Sequence, residues 1–464
     1  MSSRRSIPSS STWPRCSSGE RQLKPQRITA VEAEDKQRRI AGGLAARGAK
    51  RGDRVPFVVP SSVDLLCAVL GALRTGVIPV VLNPALLPHE RDELLTDADP
   101  AFVVASDEEL SGLFDGSPAE LAPVPLGRPM HYTSGTSGRP KGVWSGVLDE
   151  GAAHALLDDE RAVWAFASDD VHLVCSPLFH SAAIRFAAGT LLAGGDVVVL
   201  PRFDADDAAA AIASAWPTTA FMAPAHLQRL FALPHLPDLS SFRLLAHAGA
   251  PCPAPLKQAA LAAFPEGSVW EFYGSTEGQF TVCPPELWEE KPGTVGRARP
   301  GRRLSVDDDS VIWCAVPEFA RFEYWGDADK TASSWRDGGF TVGDLGRLDD
   351  DGCLYLEGRR DDLIISGGVN VYPAEVEGAL AGLRGIAELA VFGAPDDRWG
   401  QRVCVAVVPD GPVDADSVIE HARRRLTPYK CPKEVYVIDA LPRTATGKLR
   451  RSAIADQLGL GGEG

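Results

Sequence analysis

A chain of 464 residues, 45% hydrophobic and 23% charged, exceeds what one hydrophobic core sustains, so it predicts at least two folded domains and excludes a disordered or fibrous molecule. A formal net charge of −15 excludes a generally basic surface and, with it, nucleic acid as the expected partner, because phosphate backbones are held by clustered Lys and Arg. Nine cysteines stand singly, without a CxxC pair or metal-ligand spacing. They predict reduced thiols in the cytoplasm, and no apolar run reaches the roughly 18 residues of a membrane-spanning helix.

Residues 1–25 are rich in Ser and Arg without an apolar stretch, and read as a loose leader and not as a secretory signal. From Arg54, strand-like RVPFVV, VIPVVLN and AFVVAS alternate with helix-like SSVDLLCAVLGALRTG and LLPHERDELLTDA. The alternation resumes after residue 170 with VHLVCSPLF, GDVVVL, an alanine-rich helix near 206–215, TTAFMAP, FRLLAHAG and SVWEFYG. Such strand–helix–strand units build a mostly parallel sheet covered by helices, which predicts a large α/β domain over 26–358. Polar turns at 349–352 and 359–362 then introduce VCVAVV, a helix DADSVIEHARRRL and a strand EVYVID. They predict a smaller α+β domain over 363–464, of a size that folds independently.

The strongest chemical signal is TSGTSGRPKG at 133–142. Gly135 and Gly138 let backbone N–H groups turn inward, the hydroxyls of Thr133, Ser134, Thr136 and Ser137 add donors, and Lys141 adds charge, so the loop suits polyphosphate. It is not a Walker A loop, because no Gly-Lys-Ser/Thr closes it before a helix. This segment resembles the phosphate-loop signature of the adenylate-forming superfamily, which contains acyl-CoA synthetases, peptide-synthetase adenylation domains and luciferases. Further motifs of that superfamily follow in order: EFYGSTEG at 271–278, VGDLG at 342–346, GRRDD at 358–362, LIISGGVNVYPAEVE at 363–377 and LPRTATGKLRR at 441–451.

The resemblance implies an AMP-producing ligase that uses ATP and Mg²⁺ to adenylate a carboxylic acid, releases pyrophosphate, and passes the acyl group to coenzyme A. By it, Tyr273 packs on adenine with Gly274, Ser275, Gly249, Ala250 and Pro251 nearby, Thr276 contacts the α-phosphate, and Glu277 ligates Mg²⁺. Asp344 takes the ribose hydroxyls, as a carboxylate accepting from a diol can, with Arg359 beside it. Asp361 becomes the pivot of a mobile C-terminal domain, Gly367 and Gly368 line the pantetheine channel, and Lys448 bridges the attacking carboxylate and the α-phosphate. Ile365 stands where many relatives carry lysine.

SPLFHSAA at 176–183 resembles the motif flanking the acyl site, although His180 reads equally well as a core histidine. Phe221, Met222, Ala248, Gly249, Ala250 and Gly274 complete the implied wall, whose small and apolar character favours an apolar or aryl acid. Three alternatives stay open: delivery to a carrier protein, activation of nitrite to diazotise an aryl amine, and a non-catalytic nucleotide-binding protein. The presence of Lys448, Glu277 and Asp344 counts against the last. The segment between Glu277 and Asp344 is short for the superfamily, which points to a remodelled pocket mouth.

Overall fold

The computed structural model describes residues 24–133, 141–359, 362–366, 369–396, 399–443 and 449–460. Five short runs rich in Val, Leu and Ala, Val171–Val174, Asp196–Val199, Thr219–Met222, Leu244–His247 and Val269–Glu271, form parallel neighbours in one sheet. Such runs bury both faces, as parallel strands must when helices cover both sides. Gln26–Ile28 closes one edge antiparallel to Asp196–Val199.

The register aligns Val174 with Val199 and Phe221, and Met222 with His247. The strand carboxyl ends therefore share one edge, and the chain leaves that edge into 175–180, 248–253 and 272–278. Ligands collect at this edge in open α/β sheets. Helix Val63–Thr75 and helix Ser181–Ala193 pack into the core on one face, and Ala205–Ala215, Pro224–Phe231 and Ala254–Ala263 into that on the other. Gly76 and Gly194 end their helices at φ 77 and 97, a left-handed cap that costs glycine little.

Arg54–Phe57 and Ile78–Val81 pair in parallel around helix Val63–Thr75. The third expected strand of this unit, AFVVAS, reduces to one bridge between Val104 and Phe57. Ala101 N and Val104 N donate to the carbonyls of Arg54 and Pro56. Three residues here thus oppose two on the partner, and a regular ladder cannot continue past the mismatch. The shortened segment before Asp344 still builds an antiparallel sheet from Arg303–Val306, Ile312–Ala315, Gly339–Phe340 and Trp335–Arg336.

The smaller domain is built on the long hairpin Ile386–Asp396 and Gly400–Pro409, with Glu434–Val437 parallel to the second strand. Helices Pro373–Leu380 and Ala415–Arg423 cover one side and Ser452–Gln457 the other. The expected fold class, a large domain with a parallel sheet and a small α+β domain, is what forms. Among the described residues no helix is long and apolar enough to cross a membrane, and the described cysteines are free thiols.

Candidate functional site

The phosphate-loop motif begins and ends on a hairpin. His131–Thr133 pairs antiparallel with Lys141–Trp144, so Thr133 and Lys141 face each other where the loop leaves and returns. Ser134, Gly135, Thr136, Ser137 and Gly138 lie outside the described residues. The hairpin gains a third strand, Glu323–Tyr324, opposite Trp144 and Val143. From it the Tyr324 hydroxyl donates to Glu277 Oε1 at 2.8 Å, and Asp327, three residues on, pairs with Lys141 Nζ at 2.6 Å. The Lys141 contact holds the Asp327 carboxyl below its usual range. Two motifs far apart in sequence are thereby joined through the short segment between them.

The second motif makes a tight turn just past Val269–Glu271. Ser275 N donates to Gly278 O at 2.9 Å, and a Cβ on Gly274 would lie 2.9 Å from both Gln279 Cα and Gly278 O. Only glycine lets the backbone close this turn, which aims Ser275 and Thr276 into a cavity. On its other flank, the buried Tyr273 hydroxyl donates to Asp344 Oδ2 at 2.5 Å, across 71 positions of sequence. The residues implied for adenine and ribose are thus in direct contact, with those implied for phosphate and metal one turn away.

The cavity beside Thr276 has a volume of about 150 Å³. Leu70, Leu73, Leu157 and Ile184 give it an apolar wall, and Arg128, Arg185, Arg299 and Arg302 give it a charged one. Asp159 accepts both Nη groups of Arg302, at 3.0 and 2.8 Å, and Arg299 Nη2 at 2.7 Å. Glu160 Oε1 accepts Arg299 Nη1 at 3.0 Å. Burial pushes the Glu160 carboxyl up, but Arg185, Arg299 and Arg302 hold it below its ordinary value. Burial, reinforced by the neighbouring cations, lowers Arg128 to about 10. Burial also drops His131, on the cavity wall, to about 3, so its imidazole is neutral at neutral pH.

These arginines are functional candidates that sequence reasoning missed. One signal was present: Arg185 is the lone charge in the helix SAAIRFAAGTLLA, and a charge on an apolar helix needs a reason. The residues assigned to the acid by motif sit elsewhere. His180 starts the helix Ser181–Ala193 with its ring 4.6 Å from that of Phe179. Phe221 is buried in an aromatic cluster with Trp164, Phe186 and Phe272. Gly249 adopts φ 93 with open space where a Cβ would be, and Ala250 and Pro251 are exposed. None of His180, Phe221, Gly249 or Gly274 lines the arginine cavity. Asp361, Gly367, Gly368 and Lys448 lie outside the described residues, and Arg359 ends the strand Leu354–Arg359 opposite Asp344.

Nucleotide and metal fit the residues present. Among the described residues no three His, Cys, Asp or Glu side chains cluster as a metal cage. Mg²⁺ needs none: it takes one or two carboxylates and completes its shell with water and substrate phosphates. Glu277, buried between Thr276 and Gly278 of the cavity lining, carries a carboxylate of that kind.

The AMP-binding enzyme family matches residues 16–123 and 129–311, and the AMP-binding enzyme C-terminal domain matches 375–448. A feruloyl-CoA synthase of Amycolatopsis is 33% identical over 473 residues, covering 93% of this chain and 94% of its own. The long-chain-fatty-acid–CoA ligase FadD13 of Mycobacterium tuberculosis is 31% identical over 477 residues, 93% of each chain. The o-succinylbenzoate CoA synthetase MenE of Bacillus subtilis, solved with its acyl-adenylate intermediate, superposes with a TM-score of 0.82 at 29% identity, over 91% of this chain and 92% of that one.

Proposed function

This chain belongs to the AMP-binding enzyme family as an AMP-forming acid–CoA ligase, and from that premise we propose how its own residues do the work. Asp344 accepts the ribose hydroxyls while Tyr273 packs on the adenine. Thr276 and the phosphate loop, with Lys141 released from Asp327, gather the phosphate oxygens. Glu277 would hold Mg²⁺, which would screen negative charge as pyrophosphate leaves. An oxygen of the acid attacks the α-phosphorus in line, and the bond from that phosphorus to the bridging oxygen of pyrophosphate breaks. Lys448 steadies the charge on the attacking and α-phosphate oxygens, which is positioning and electrostatics in place of covalent catalysis.

In the second step the coenzyme A thiolate attacks the acyl carbonyl and AMP leaves. The smaller domain turns about Asp361 between the steps, withdrawing Lys448 and bringing Gly367 and Gly368 to the acyl group. Coenzyme A is favoured over a carrier protein because the relatives quoted above are coenzyme A ligases by name.

The observation that carries this reading is the Tyr273–Asp344 contact, which unites two nucleotide motifs beside a cavity open to Thr276. The test is exchange of labelled pyrophosphate into ATP. Lys448→Ala should abolish exchange yet still convert a supplied acyl adenylate to thioester; exchange at the wild-type rate refutes the assignment.

A further inference from the structure

Four guanidinium groups line the charged wall of the cavity, and among the described residues their ion pairs use two carboxylates, Asp159 and Glu160. Asp159 is used up by Arg302 and Arg299. Arg128 spends its donors on the main-chain oxygens of Glu277, Ala320 and Arg321. Arg185 is held differently: among the described residues its Nε and Nη2 are buried with no hydrogen-bond partner, and Nε is ion-paired with Glu160 Oε2 at 3.6 Å, beyond a hydrogen bond, while Arg299 and Arg302 each leave only Nε unbonded. The guanidinium is held in place from behind, its carbon 5.0 Å from the centre of the Phe272 ring and 5.4 Å from that of Phe186.

A network that served stability alone would give each buried donor a hydrogen bond, since an unsatisfied one keeps its desolvation cost. This one leaves Nε and Nη2 of Arg185 without a hydrogen bond on a side chain that lines the cavity, so an entering carboxylate can offer acceptors closer than Glu160 does. The apolar part of the lining, Leu70, Leu73, Leu157 and Ile184, offers nothing to a small inorganic anion. It suits the hydrocarbon or aromatic body of an organic acid.

We infer that the cavity takes an acid with a second anionic group, a carboxylate or similar planar oxyanion carried on an apolar or aromatic body, and that Arg185 grips that group within a field set by Arg128, Arg299 and Arg302. This rests on the adenylation reading, with the reacting carboxylate at Thr276. It also narrows the earlier expectation of an apolar or aryl acid: the body is apolar, but its far end is charged.

The experiment measures pyrophosphate release by the full chain with matched acids: an aryl monoacid, the same acid bearing a second carboxylate, and the methyl monoester of that diacid, with nitrite alone as a fourth arm. The diacid should exceed monoacid and monoester in kcat/KM by tenfold or more. Arg185→Gln should raise its KM at least tenfold with little change in kcat, pulling the diacid-to-monoacid ratio toward one. Arg185→Lys, which keeps the charge without the planar fork and guards against a folding defect, should restore part of that ratio. Equal use of monoacid and diacid, a uniform loss on all acids in Arg185→Gln, or turnover on nitrite alone overturns the subsite. Should every arm stay silent while ATP still raises the melting temperature, the adenylation reading itself falls, and the subsite with it.

Discussion

Replacing Tyr273 by Phe keeps the ring but deletes the hydroxyl that donates to Asp344 at 2.5 Å. Both residues are buried, at 8% exposure each, so the carboxylate loses a donor that water replaces poorly. A hydrogen bond to a charged group contributes roughly 1.5–3 kcal/mol. In a domain of this size that corresponds to a fall of roughly 3–6 °C in melting temperature. The informative step is to repeat the melt with saturating ATP. If Asp344 receives the ribose hydroxyls, they supply in the variant the donors it lacks, and the gap between wild type and variant narrows. Linkage then requires the variant to bind ATP at least as tightly as wild type, up to about tenfold tighter if about 1.4 kcal/mol is regained. Scanning fluorimetry reads the melts and calorimetry the affinity. A gap that widens with ATP, or a Kd weakened tenfold, refutes the placement of ribose on Asp344.

Gly274→Ala drives a methyl group into backbone atoms 2.9 Å away, so the turn carrying Thr276 must open. A displacement of about 1 Å costs on the order of 100-fold in kcat/KM, and a variant as active as wild type in pyrophosphate release contradicts that role. Acid should weaken the chain through Asp170, buried just before the strand Val171–Val174, whose carboxylate accepts Arg243 Nε at 2.7 Å, Thr218 Oγ1 at 2.8 Å and Ala167 N at 2.9 Å. Burial pushes this carboxyl up, but these donors more than offset it and leave it below its usual value. Its stabilisation is therefore present above the unfolded value near 3.9 and lost as pH falls through the lower folded value. Asp170→Asn should cost about 2–3 kcal/mol near pH 7, with the difference from wild type shrinking below about pH 4; a difference independent of pH in thermal melts contradicts the ionised state.

The parallel sheet was legible because its strands are short apolar runs whose period and spacing survive without knowledge of their neighbours. AFVVAS failed as a strand because pairing depends on the partner's register, and the step from Ala101 to Val104 against Arg54 and Pro56 has no local signature. Within the site, Tyr273 and Asp344, which motif order assigned to adenine and ribose, are in contact with each other. The pairing of Lys141 with Asp327 and the hold of Tyr324 on Glu277 were not foreseen, since both partners come from the segment that departs most from the superfamily pattern. The arginine cavity was hidden for a related reason. Asp159 and Glu160, Arg185, and Arg299 with Arg302 belong to three separate stretches, of which only Arg185 on its apolar helix stands out alone, and only tertiary packing brings their charges together.

The chain's formal charge of −15 and its sequestered guanidinium groups pull an approaching anion in opposite directions, over different ranges. The outer repulsion acts through solvent and fades within about 8 Å at physiological ionic strength, whereas the inner attraction is shielded from mobile ions. Salt therefore lowers the hill without filling the well, so such a molecule should dock faster in saline than in dilute buffer and leave at nearly the same pace.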